Sequence, residues 1–128
     1  VAGALGQAMT SPRQFVFKVA THAAWQEACR TGSFAGSADD LRDGFIHLST
    51  SEQLAGTLAK HFRGQHDLVL IRFETRLFGD ALRWEASRGG EQFPHLYATL
   101  STATACAVHA LQLGTDSVPT LPEEFAAC

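Results

Sequence analysis

The hydrophobic positions of this chain change period several times, and each change marks an element. Phe15-Val16-Phe17-Lys18-Val19 is aromatic and β-branched, lies between Pro12 and Thr21, and predicts a first strand. From Thr21 onward the apolar positions adopt helical spacing. Ala24, Trp25, Ala28 and Cys29 share a face, with Thr21 placed as N-cap and Gly32 as terminator. Residues 32–44 carry Asp39, Asp40 and Asp43 without periodicity, which predicts a long loop whose aspartates serve solvation and turn formation. Phe45-Ile46-His47-Leu48 is a short strand. Ser49-Thr50-Ser51 ahead of Glu52 and Gln53 then gives overlapping capping boxes, so Ser49 is assigned a cap role at a second helix. Leu54, Leu58 and Phe62 form its buried stripe, and Gly64 ends it.

Residues 67–74 form a near-continuous apolar run, the pattern of a central strand covered on both faces. Gly79-Asp80 marks a turn, further strands are predicted over 82–85, 94–100 and 104–111, and 87–90 is a glycine loop. The order βαβαββββ lacks the regular alternation of a doubly wound fold. It predicts one α+β domain over residues 13–113, with a mainly antiparallel sheet and two helices. Residues 1–12 and 114–128 are expected to be flexible ends.

Composition narrows the function classes. A chain of 128 residues buries about two-thirds of its unfolded surface and needs no disulfide, metal or cofactor to fold. The net charge of -3 has the wrong sign for a nucleic-acid binder. Leu68-Val69-Leu70-Ile71, the longest apolar run, is too short to cross a bilayer, and no positive n-region precedes Met9. No membrane association and a cytoplasmic location are therefore expected. Cys29, Cys106 and Cys128 are widely spaced and suggest neither a disulfide framework nor a zinc ribbon.

Candidate chemistry follows from strand alternation. Phe45, His47 and Ser49 fall on one face of their strand, and Phe93, His95 and Tyr97 on one face of theirs. Each set offers an aromatic ring, a histidine and a hydroxyl. Two such strands lining one cleft suit a planar ligand that stacks and hydrogen-bonds, such as a nucleotide. Either histidine alone is better explained as a satisfied, half-buried residue; the matched pattern is what favours a site. Between them, Arg83 and Arg88 are candidates for a phosphate, Gly89-Gly90 permits close backbone approach, and Glu85 and Glu91 are the neighbouring acids. A solvated hairpin with a surface ion pair explains the same segment. No H-E-x-x-H spacing, phosphate loop, G-x-G-x-x-G or G-x-S-x-G is present, so no metal site is assigned and nucleophilic serine chemistry is disfavoured.

Asp43-Gly44-Phe45-Ile46-His47-Leu48-Ser49-Thr50, with Trp84-Glu85 and Phe93-Pro94-His95-Leu96-Tyr97, resembles a family of small bacterial proteins, the domain of unknown function 952, from about Phe15 to Val108. The resemblance implies a fold like that of ADP-ribosyltransferases, which bind NAD in the cleft of a split sheet. NAD is then the implied ligand or substrate. Ser49-Thr50-Ser51 matches the middle element of that pattern, and Lys18 stands where a His or Arg is expected, keeping charge but losing a planar fork. Glu85, following Trp84 on a strand, is preferred over Glu91 as the catalytic acid.

The site expected on this basis has Glu85 and His47 as catalytic residues, with Lys18, Ser49, Thr50, Trp84, Arg88, Glu91, His95 and Tyr97 around the ligand. The reaction implied is ADP-ribosyl transfer or glycohydrolysis. The alternative is a non-catalytic module binding a small metabolite or a protein, favoured by the departure at Lys18. The residues define a ligand class better than a reaction, and no protein partner is indicated.

Overall fold

A computed structural model describes residues 13–87 and 89–122. Strand β1 (Phe15–Thr21) runs into helix α1 (His22–Thr31), as the pattern predicts. Thr21 Oγ1 accepts from the Ala24 N–H at 3.1 Å, and Gly32, at φ 91°, closes the helix with its N–H on the Ala28 carbonyl. Trp25 and Ala28 are the buried side of α1, with the indole 6.2 Å from the Phe34 ring and 6.4 Å from that of Phe73.

The expected loop over 32–44 is instead structured. Strand β2 (Ser33–Phe34) is followed by helix α2 (Ala38–Asp43), whose first turn is held by a capping box between Ser37 and Asp40. Strand β3 (Ile46–His47) then leads through a 3-10 turn (Ser51–Gln53) into helix α3 (Leu54–His61). The cap of that turn is Thr50, paired reciprocally with Gln53, and not Ser49. Leu54 and Leu58 are fully buried, and Phe62 packs beside them.

Strand β4 (Leu68–Glu74) takes the central place expected of it. It lies between β1 and the long strand β8 (Ala105–Leu113), in a sheet that a short strand β9 (Pro119–Thr120) extends to the order β1-β4-β8-β9. Val69, Ile71 and Phe73 face one core cluster, Leu68 and Leu70 the other. Each such fully buried side chain contributes about 1.5–3 kcal/mol. The second sheet is β3-β6-β5, built from β5 (Leu82–Ala86), β6 (Gln92–Leu96) and β3. The predicted 94–100 strand is broken. After Leu96 the chain turns at Tyr97, whose N–H donates to the Ala81 carbonyl, and resumes as β7 (Leu100–Ser101) against β2. All strand pairs are antiparallel, and helices number three among the described residues, one more than expected.

Part of the segment assigned to a C-terminal tail belongs to the fold. Strand β9 (Pro119–Thr120) pairs with Gln112 and Leu113, and Val118 and Leu121 pack on the second core cluster. No helix of the described residues is long and apolar enough to cross a membrane.

The two main sheets meet at β3. His47 pairs with His95, while two residues later Ser49 exchanges backbone hydrogen bonds with Phe17, at 2.8 and 3.0 Å. This strand switch brings β1, α2 and the hairpin of β5 and β6 around His47.

Candidate functional site

Alternation along β3 and β6 places Ile46, Leu48 and Leu96 in the core and turns Phe45, His47, His95 and Tyr97 to the other face. The rings form one strip. Phe45 stacks on His95 with centroids 4.0 Å apart, and lies 4.6 Å from His47 and 5.4 Å from Tyr97. The two imidazoles meet edge to face at 5.8 Å.

Glu85 enters this strip from β5. Its Oε1 accepts from the Tyr97 hydroxyl at 2.7 Å and stands 2.8 Å from His95 Nδ1. A carboxylate only accepts, so the His95 proton is assigned to Nδ1. The Tyr97 hydroxyl first, then His95, holds the Glu85 carboxyl below its ordinary value. The same hydrogen bond pushes the Tyr97 phenol up, because ionising it would set two anions together. Arg83, one strand step away, lies 4.7 Å over the Tyr97 ring.

Behind His47 is a network organised by Asp40. Only 2% exposed, Asp40 takes Lys18 Nζ and the Ser37 N–H on Oδ2, each at 2.8 Å. On Oδ1 it takes the His47 N–H at 3.0 Å and His47 Nδ1 at 2.6 Å. Burial alone would raise the Asp40 carboxyl. The His47 hydrogen bond and the Lys18 ammonium outweigh it and hold the group well below the usual carboxylate range. For Lys18 burial wins, and its ammonium is held below its ordinary value despite Asp40. His47 Nε2 faces outward, 3.0 Å from Asp43 Oδ2.

The expected site residues divide accordingly. Glu85, His47, His95 and Tyr97 come together. Lys18 does not reach the open face, since its ammonium is buried between Asp40 and the His47 carbonyl. Trp84 sits on the opposite face of β5, packed against the core under Arg13 at 4.0 Å. Ser49 is buried, with Oγ 2.9 Å from Thr57 Oγ1 on α3. Thr50 and Glu91 line a separate polar hollow of about 250 Å³ with Arg13, Glu52, Gln53 and Gln92. Arg88 lies outside the described residues.

The sequence pattern places Asp40 and Asp43 in a solvated loop, but the structure puts Asp40 at the centre of a buried network and Asp43 against His47. Two signals mark Asp40: a lysine inside the apolar run Phe15–Val19 needs a buried acid, and Ser37-x-x-Asp40 is a capping pattern. A second hollow of about 260 Å³, lined largely by Leu41, Phe45, Ile46, Leu96 and Ala98, abuts the strip through Phe45 and Asp40.

The fold and site thus define a single-domain α+β protein whose curled antiparallel sheets carry a histidine and carboxylate face. The family model described as "Protein of unknown function (DUF952)" matches residues 19–108, and the chain belongs to that family. It is similar to protein CC0527 from Caulobacter crescentus. The crystal structure of that protein is 47% identical with a TM-score of 0.84, covering 88% of this chain and 98% of that one. Its solution NMR structure gives 46% identity and a TM-score of 0.80, over 89% and 98% of the two chains. No curated protein matches the chain.

Proposed function

We propose that the ring face of β3, β5 and β6 binds a nucleotide of the NAD or ADP-ribose type, with Glu85 positioned for ADP-ribosyl transfer or glycohydrolysis. The observation that carries the reading is the Glu85 carboxylate, held by Tyr97 and His95 beside a strip of four rings. A nicotinamide ring is planar and cationic, so aromatic faces next to a carboxylate suit it. As the bond from ribose C1′ to the nicotinamide nitrogen breaks, its electron pair leaves with the ring. The sugar becomes cationic, and Glu85 stabilises that charge. Water or an acceptor nucleophile then bonds to C1′ and gives up its proton to solvent. His47 and His95 orient the ribose, and Arg83, which lies over the Tyr97 ring, meets a phosphate.

The experiment is release of nicotinamide from NAD by the purified protein and by Glu85→Gln. The reading expects turnover that the substitution abolishes while binding persists. Equal turnover in both chains removes the role of Glu85.

Two observations favour a second reading, a non-catalytic binding module. The lysine expected to meet a pyrophosphate is consumed by Asp40, and the strip is a shallow face on which Tyr97 is 40% exposed. Saturable nucleotide binding without any product is its signature.

A further inference from the structure

The outward nitrogen of His47 is already occupied. Asp43, the last residue of α2, places Oδ2 3.0 Å from His47 Nε2. The same carboxylate is gripped by Arg42, with Nε 2.9 Å from Oδ1 and Nη2 3.2 Å from Oδ2. A guanidinium fork on one side and an imidazole nitrogen on the other is how proteins hold a phosphate or carboxylate oxygen. Here the anion is intramolecular, and Asp43 is solvent-accessible, so it is displaced without opening the core.

We propose that Arg42 and His47 Nε2 form an anion notch in which the Asp43 carboxylate stands in for an anionic oxygen of a ligand, and that binding exchanges one for the other. Asp40 is the positioning residue of this notch. Its buried Oδ1 accepts from both the backbone N–H and Nδ1 of His47, which fixes the ring so that Nε2 always points outward. Lys18 and the Ser37 N–H hold Asp40 in turn, so the orientation is set from inside the fold and survives the exchange. Arg42 keeps a second partner in Asp39, at 3.2 Å, and stays at the notch when Asp43 leaves. The ligand class is any molecule with an anionic oxygen of a phosphate, pyrophosphate or carboxylate. This deepens the nucleotide reading, since the notch adjoins the ring strip, but it stands on different residues.

The test compares the wild type with Asp43→Asn and Asp43→Glu, all folded around an unchanged interior, using inorganic phosphate and ADP-ribose as probes. Long-range ¹H–¹⁵N correlations of the His47 ring report where each proton sits. In the wild type both ring nitrogens donate, Nδ1 to Asp40 and Nε2 to Asp43, because each faces a carboxylate oxygen that only accepts, and both probes perturb Nε2 selectively. Asp43→Asn removes the competing charge and is expected to bind both probes about fivefold more tightly, the range of one exposed charge pair, while Asp43→Glu behaves like the wild type. Unchanged affinity in Asp43→Asn, or probe shifts that spare His47 Nε2, overturns the notch. Tighter phosphate binding in Asp43→Asn alongside silence toward ADP-ribose upholds the notch and defeats the nucleotide reading instead. ADP-ribose shifts confined to Glu85, His95 and Tyr97, with equal affinity in all chains, defeat the notch alone.

Discussion

Asp40 Oδ1 stands 2.6 Å from His47 Nδ1 while the other oxygen of the same carboxylate meets Lys18 Nζ at 2.8 Å. One buried acid therefore joins a strand of the central sheet to the half-buried histidine of the neighbouring sheet. Replacing it with Asn leaves Lys18 buried and uncompensated, which costs about 3–5 kcal/mol. Adding Lys18→Met removes the stranded charge and recovers part of the loss. Urea unfolding of the single and double variants measures both, and equal destabilisation in the two would contradict this role for the pair.

The Asp40 carboxyl also makes a pH prediction. Its folded value lies below the unfolded one, about 3.9. Between the two the unfolded chain binds the proton and the folded chain does not, so stability rises with pH through that window. The contribution is complete above the unfolded value and is lost as pH falls toward the folded one. Unfolding free energies measured from about pH 6 down to about pH 2 should therefore fall more steeply for the wild type than for Asp40→Asn. Parallel curves would mean that Asp40 is not held ionised.

Both predictions depend on residues that the sequence disclosed unevenly. The faces of β3 and β6 were legible because alternation is a local property. Ile46, Leu48 and Leu96 went to the core, and His47, His95 and Tyr97 gathered as expected. The six residues of α2 carry no helical signal because their only large apolar side chain, Leu41, is 67% exposed and makes no buried stripe. Strands β2, β7 and β9 are two residues each, too short for any period to register. The sequence pattern leaves Lys18 pointing to a ligand because its partner, Asp40, reaches it only through the tertiary fold.

Gly36 tests how α2 is seated. At φ 124°, a Cβ there would lie 2.7 Å from Asp40 Cβ. Gly36→Ala is expected to cost about 1–3 kcal/mol from backbone strain, with further loss from the clash. Thermal unfolding gives the cost. The His47 ring ¹⁵N shifts should move with it, because the capping box that carries Asp40 is displaced. A stable variant with unchanged His47 shifts would show that α2 tolerates the added atom.

Tyr97 is the single tyrosine of the chain, so its ionisation is read without interference by ultraviolet titration. Its phenol is held up by the Glu85 carboxylate. Glu85→Gln removes that anion, and the midpoint should move down toward the ordinary tyrosine value. An unmoved midpoint would mean that Glu85 and Tyr97 are not paired in solution.

The most direct test of nucleotide binding is an amide and side-chain chemical-shift titration of the labelled protein with NAD, ADP-ribose and nicotinamide. The account predicts saturable shifts at Phe45, His47, Glu85, His95 and Tyr97, with Thr50 and Glu91 in their separate hollow unaffected. Silence at millimolar ligand, or shifts centred on that hollow, would contradict it.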